Sequence, residues 1–282
     1  MSEQSPQSVR GPIRRGLTLS RAPIRTATDS SADERYRAPA LDKGLDILEL
    51  LAEQAQGLTR AEIVKAMGRS PSEIYRMLER LVARQYVVRS AEGDRYSLSL
   101  KLFVLSQRHP PQARLVSQAT PVMDAFTKAA EQSCHLGVYD RGNVTIVVQV
   151  ASPVYWGLSI RAGARVSLLD SGSGLTLLAF QTPQRRAEML AEHEPLDGQA
   201  RRPAARALQA TLEQLRARGH WQADSRQTHG VTDISLPLLG PDGSALGALT
   251  CPYVRRIDRH AAPDLEATRA LLARAAAALT LR

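Results

Sequence analysis

Apolar residues first fall into a helical rhythm at Leu41, Leu45, Leu48 and Leu51, which predicts a helix that ends near Gly57. A second helix opens at Thr59-Arg60-Ala61-Glu62, where a hydroxyl and a carboxylate three residues apart cap each other's backbone N–H groups, and it stops at Gly68. A third opens the same way at Ser70-Pro71-Ser72-Glu73, with proline at its first position, after only the short turn around Gly68-Arg69. On that third helix Ile74, Met77, Leu78 and Leu81 share one face, while Ser72, Tyr75, Arg76 and Glu79 share the other. The runs Tyr86–Arg89 and Arg95–Leu98 flank the turn residues Ser90–Asp94 and predict a hairpin. Two short helices joined by a tight glycine turn and followed by a hairpin read as a winged helix-turn-helix, a form whose second helix enters the DNA major groove.

The segment Arg108-His109-Pro110-Pro111-Gln112 closes this region, because consecutive prolines stop a helix and stiffen a connection. Beyond it, Leu115, Ala119, Val122, Phe126 and Ala129 mark a linking helix. Thr120-Pro121 interrupts the pattern, either kinking one long helix or starting a new one. From Cys134 onward, strand and helix patterns mix, giving an α/β or α+β half. Strands are expected at His135–Tyr139, Val144–Val150, Leu158–Ile160, Val231–Leu239 and Ala245–Pro252, and helices at Gly174–Phe180, Pro183–Ala191, Pro203–Arg218 and Pro263–Leu279. The chain thus reads as α+β in four parts: a tail over 1–38, a winged helix-turn-helix over 39–107, a linking helix over 108–133, and a C-terminal α/β domain over 134–282.

Charge adds a partner to this picture. The 282 residues carry a net charge of +9, which favours an anionic partner. The tail holds Arg10, Arg14, Arg15, Arg21 and Arg25, which either touch phosphates or are simply solvated. No apolar run is long enough to cross a membrane, and the sequence after Met1 lacks a secretory pattern, so a cytoplasmic location is expected. Cys134 and Cys251 have no metal-ligand spacing, and the six histidines form no metal motif, so neither a metal nor a cofactor is expected.

The residues expected to meet DNA are Arg69, Ser70, Ser72, Tyr75, Arg76 and Arg80 on and before the third helix, with Arg89 and Arg95 flanking the hairpin tip. Glu73 is explained by the capping box, and Glu79 by an intrahelical pair with Arg76 or Arg80. Farther along, Gly172-Ser173-Gly174 opens an apolar helix. Its backbone N–H groups either hold a carboxylate or only permit a tight turn.

The stretches Leu41-Asp42-Lys43-Gly44-Leu45-Asp46-Ile47-Leu48, Ser72-Glu73-Ile74-Tyr75-Arg76-Met77-Leu78 and Arg95-Tyr96-Ser97-Leu98 make the chain resemble the IclR family of bacterial transcriptional regulators over roughly residues 41–280. The C-terminal half is similar to that family's GAF-like effector domain at Ser171–Leu175, Arg218-Gly219, His229-Gly230-Val231 and Pro241-Asp242-Gly243. The resemblance implies a double-stranded DNA operator, a homodimer or homotetramer, repression or activation, and a small effector, an organic or aromatic acid. Residues matching its pocket positions are Gly172, Ser173, Ala223, Val231, Asp233, Thr250 and Pro252, with Asp224 beside them and Arg161 and His135 as supplementary candidates. Glu73 stands where the family commonly has Thr, Leu175 where it commonly has Lys, and Asp170 where it has a small apolar residue.

Two competing readings remain on the sequence: an enzyme using the Gly-rich pocket, or a single-strand RNA-binding protein. The first lacks a nucleophile elbow, because Ser171 and Leu175 stand where glycines are needed around Ser173, and no P-loop or dinucleotide fingerprint occurs. The second would want exposed aromatics for base stacking, and aromatics make up only 4%.

Overall fold

The computed structural model describes residues 38–280 apart from 93, 109, 156, 197–202 and 258–260. The tail expected over residues 1–38 lies outside the described residues except for Ala38. The chain divides into two units, one ending at Leu102 and one beginning at Phe103.

The first unit comprises α1 (Pro39–Ala52), β1 (Leu58–Thr59), α2 (Arg60–Met67), α3 (Pro71–Ala83), β2 (Val87–Arg89) and β3 (Arg95–Leu98), with the strands in the order β1-β3-β2. Both capping boxes form: Thr59 with Glu62 starts α2, and Ser70 with Glu73 starts α3. Gly68 ends α2 in the left-handed conformation at φ 60°. Gly57 is required where β3 passes, since a Cβ there would lie 2.5 Å from the Tyr96 carbonyl oxygen. The core gathers Ile47, Leu51, Ile63, Ile74, Leu78, Val87 and Tyr96. The leucine face expected on α1 is displaced: Leu41 and Leu45 are exposed, and the buried stripe runs through Ile47 and Leu51.

The second unit follows α4 (Lys101–Arg108), which straddles the division, and opens with α5 (Pro110–Ala130). Pro110 and Pro111 start this helix rather than forming a separate linker, because first-turn N–H groups have no intrahelical partner and prolines lose nothing there. Pro121 sits inside one continuous helix. The six-stranded sheet runs β6-β5-β4-β9-β8-β7, from β4 (Cys134–Asp140), β5 (Asn143–Val150), β6 (Arg165–Val166), β7 (Trp221–Asp224), β8 (Val231–Leu239) and β9 (Ala245–Val254). Every pairing is antiparallel, so of the two arrangements left open for this half, α+β is the one present. Leu158–Ile160 is not a strand. The free edge of β5 is taken instead by residues 163–166, where Ile146 N–H donates to Ala164 O and Gly163 N–H donates to Ile146 O.

One apolar cluster joins α5 and α9 (Leu265–Leu279) to Leu136, Val148, Ile234, Leu249 and Cys251. The other joins α6 (Gly172–Ala179), α7 (Pro183–Ala191) and α8 (Ala205–Arg218) to Val144, Ile146, Ala245 and Ala248. All eight residues of α6 are buried. Its last carbonyls are satisfied by guanidinium groups: Arg186 donates to Leu178 O and Ala179 O, and Arg216 to Ala179 O. Its N-terminus meets a cavity.

Candidate functional site

The outer side of α3 carries Ser72, Tyr75, Arg76, Glu79 and Arg80, all exposed. Arg69, in the turn before it, is exposed too, and none of Arg69, Arg76 and Arg80 makes an ion pair among the described residues. Ser70 is committed to the helix cap, where its hydroxyl donates to Glu73 Oε2 at 2.9 Å. Glu73 also takes a charge-assisted bond from Lys43 on α1, which ties the two helices together. That bond, together with the Ser70 contacts, holds its carboxyl down at about 2. Glu79 differs from expectation: it forms no ion pair with Arg76 or Arg80 among the described residues, so α3 keeps uncompensated guanidinium groups on its outer side.

In the hairpin, Arg89 lies over the Tyr96 ring at 5.7 Å. Arg95 Nη1 donates to Gly57 O at 3.1 Å and stands 3.7 Å from Glu62 Oε2, so it braces β1 and α2 while remaining half-exposed. Sequence reasoning missed Arg60. The first residue of α2 places its guanidinium over the Tyr75 ring at 5.6 Å, and its only signal was its position directly after the Thr59 cap.

In the second unit, a cavity of about 90 Å³ is bounded by the N-terminus of α6, by His135 of β4, Asp233 of β8 and Thr250 and Pro252 of β9, and by loop residues that include Leu158, Ile160, Ser225, Gln227 and Thr228. It brings together five of the expected pocket residues: Gly172, Ser173, Asp233, Thr250 and Pro252. Asp224 does not join them. It pairs with Thr232, the neighbour of Asp233, and a strand alternates its sides, so Asp224 faces away and is exposed. Ala223 and Val231 are absent from the lining, Val231 being buried at the far end of its pairing with Val254. Arg161 is exposed and absent from the lining as well. The loop after β7 is held to the α6 entrance by Arg226, which donates to Leu169 O and stands 3.8 Å from Asp170 Oδ1.

Behind the cavity runs a buried polar chain. His135 Nε2 lies 3.3 Å from Ser173 Oγ, Ser173 Oγ lies 2.8 Å from Thr250 Oγ1, and Thr250 Oγ1 donates to Ser235 Oγ at 2.7 Å. His135 Nδ1 has no hydrogen-bond partner among the described residues. Burial pulls the His135 imidazole down to about 4, so the ring is neutral at physiological pH. Burial also raises the Asp233 carboxyl, against a hydrogen bond from Ser225 that lowers it. No Lys or Arg lines the cavity, so the fixed donors for an anion are the backbone N–H groups at the start of α6, where Ser171 Oγ already accepts from Gly174. A larger cavity of about 210 Å³, between α5 and β5, holds no titratable side chain.

Among the described residues, no group of three or more His, Cys, Asp or Glu is placed to hold a metal ion, and no helix is long and apolar enough to cross a membrane.

Comparison with known proteins agrees with this division. The IclR helix-turn-helix domain family matches residues 40–91, and the bacterial transcriptional regulator IclR C-terminal family matches residues 111–280. The chain is 26% identical to the HTH-type transcriptional regulator KdgR of Escherichia coli K12 over 213 residues, 75% of this chain and 80% of that one. It is 28% identical over 224 residues to the HTH-type transcriptional regulator BhcR of Paracoccus denitrificans, 78% of this chain and 79% of that one. Among solved structures, an IclR homolog from Microbacterium hydrocarbonoxydans complexed with 4-hydroxybenzoate superimposes with a TM-score of 0.71 at 22% identity, covering 86% of this chain and 97% of that one. The Thermotoga maritima IclR gives 0.68 at 20% identity, covering 85% and 96%. These two likenesses speak for the fold.

Proposed function

This chain belongs to the IclR family of bacterial DNA-binding transcriptional regulators, and on that premise we propose that a small organic acid, held at the N-terminus of α6, controls its occupancy of a double-stranded operator. The observation that carries the reading is the cavity itself. It joins an open helix N-terminus, the buried His135 ring and a half-buried carboxyl, Asp233, within mostly apolar walls, the usual composition of a small-molecule site. The ligand must bind one conformation of the regulator better than another, since equal affinity shifts nothing.

On the DNA side, α3 is the reading helix. Ser72, Tyr75, Arg76 and Arg80 face the groove, while Arg69, Arg89 and Arg95 flank it. Ser70 contributes through the cap. The uncompensated guanidinium groups support this assignment, because duplex phosphates and guanine edges are what such groups bind. The regulator acts in the cytoplasm as a homodimer or a dimer of dimers on a pseudo-palindromic site. Supporting that assembly, Leu41 and Leu45 on α1 and Leu102, Phe103, Val104 and Leu105 on α4 are exposed apolar side chains that a second copy would cover.

The test starts by selecting binding sites from a random duplex pool. Operator affinity and thermal stability are then measured against a panel of organic acids. At least one acid is expected to raise the melting temperature and to change operator affinity several-fold. If no acid does either, the sensor reading is wrong. If selection enriches an asymmetric single site, the dimeric one is.

A further inference from the structure

Three cations lie over tyrosine rings among the described residues of the first unit, and two of these stacks serve the fold. The Tyr96 ring beneath Arg89 is buried in the core, and the Tyr86 ring beneath Lys101 is half-buried beside an ammonium that also donates to Arg84 O. The third differs. Tyr75 stands on the outer side of α3 with Ser72 and Arg76, is 45% exposed, and is absent from the apolar core. Over its ring, at 5.6 Å, lies the guanidinium of Arg60, the first residue of α2. The two helices do not need this contact to hold together, since Ile63 of α2 and Ile74 and Leu78 of α3 are fully buried in one core. Arg60 is exposed and forms no ion pair among the described residues. The carboxylate two residues on, Glu62, is occupied elsewhere: by the Thr59 backbone N–H at 2.8 Å, the Thr59 hydroxyl at 3.0 Å, and Arg95, 3.7 Å away. Arg60 therefore presents an uncompensated charge at the seam between α2 and the outer side of α3.

We infer that Arg60 and Tyr75 act on DNA as one unit: Arg60 binds a backbone phosphate at the edge of the groove that α3 enters, and Tyr75 is the positioning residue that holds the guanidinium to that phosphate. The inference rests on reading α3 as the helix that meets DNA. In a helix-turn-helix the second helix lies in the groove while the first crosses the backbone. A side chain that leaves the first turn of α2 and comes to rest on the outer side of α3 stands where those two surfaces join. Phosphate is the group that suits it. A guanidinium is a planar fork that meets two phosphate oxygens through parallel N–H bonds, and a ring beneath it fixes the plane in which those bonds point. The start of α2 adds a field of the same sign. Stacking also removes side-chain freedom before DNA arrives, which lowers the ordering cost of the contact. Loss of the ring should therefore cost the Arg60 contact as well as any contact that Tyr75 makes for itself.

The experiment uses the full chain, an operator selected from a random duplex pool and an unrelated duplex, with affinity read by fluorescence anisotropy between about 50 and 200 mM salt. Arg60→Ala should weaken both duplexes alike, by about tenfold for each copy bound, and lower the slope of log affinity against log salt by about 0.9 for each copy. Arg60→Lys should keep the slope and lose affinity several-fold, because an ammonium carries the charge without the planar fork. The positioning role is read from a double-variant cycle. Arg60→Ala should cost its full factor in a Tyr75→Phe background, which keeps the ring, and less than about twofold in a Tyr75→Leu background, which does not. Both side chains are exposed, so the melting temperature of each variant should stay within a degree or two of wild type. An unchanged slope in Arg60→Ala, a loss confined to the operator, Arg60→Lys equal to wild type, equal costs in the two Tyr75 backgrounds, or a clear fall in melting temperature each overturns the inference while leaving α3 as the reading helix. If the wild-type chain binds neither duplex, the DNA reading of α3 fails and takes the Arg60 contact with it.

Discussion

Thr250 is the hub of the buried hydroxyl chain, and Thr250→Val tests whether that chain is a real structural element. The replacement nearly conserves volume at a side chain only 2% exposed, so its effect is the loss of one hydroxyl. That hydroxyl serves two partners. Without it the Ser173 proton has no acceptor and Ser235 Oγ loses its donor. A buried polar group left unsatisfied costs about 1–3 kcal/mol, and the added methyl returns about 0.8 kcal/mol, so the net loss should be about 3 kcal/mol. Adding Ser235→Ala removes one of the two orphaned partners, and the double variant should be less destabilised than the sum of the singles by about 2 kcal/mol. Urea unfolding followed by tryptophan fluorescence suits the measurement, because Trp221 lies on β7 against Gly172 at the start of α6. A cost below about 1 kcal/mol, or strict additivity with Ser235→Ala, would refute the chain and the proton direction read from it.

Arg76→Ala should leave the circular dichroism spectrum unchanged and weaken specific operator binding by about 1–3 kcal/mol, measured by fluorescence anisotropy; equal weakening on all duplexes would reassign Arg76 to phosphate. The pH dependence of the second unit should carry the His135 signature. Its pKa falls from 6.5 to about 4 on folding, so the stability tied to the neutral ring is fully present above 6.5 and is lost as pH drops towards 4, about 3 kcal/mol in all. Burial raises Asp233, which acts in the opposite sense, so the comparison is between wild type and His135→Gln at pH 7 and pH 4.5, and identical differences in the two proteins would contradict the assignment. Gly174→Ala should cost about 3 kcal/mol or more, because its Cβ would lie 2.2 Å from the Leu168 carbonyl oxygen; a melting temperature within a degree or two of wild type would show that the backbone yields there.

The first unit was legible because its signals are local. A capping box needs only a residue and its third neighbour, and Thr59-Glu62 and Ser70-Glu73 both form as written. The leucine rhythm of α1 misled where Leu41 and Leu45 continue it past the part of the helix that packs, which spacing alone cannot reveal. In the second unit the long hairpin strands were readable from apolar runs. The four-residue β7, Trp-Gln-Ala-Asp, has no alternation to announce it, and the placement of Asp224 failed because it depends on the β7–β8 register. His135 is the instructive case. A lone histidine in an apolar strand reads as structural, and what distinguishes it is the orphaned Nδ1, which emerges only when Ser173 and Thr250 arrive from 38 and 77 residues apart in sequence.

The burial of α6 also bears on where the cavity can change. A helix with no solvent-facing residue offers no neutral positions: a side chain on Gly172 would reach within 2.6 Å of Trp221 Cδ1, and one on Gly174 would strike the backbone at Leu168. Substitutions that reshape the cavity therefore have to enter elsewhere, through the strand residues His135, Asp233, Thr250 and Pro252 or through the loop carrying Ser225, Gln227 and Thr228. In this architecture the start of α6 is sterically closed to larger side chains, and the strands and the loop are where the lining of the cavity can change.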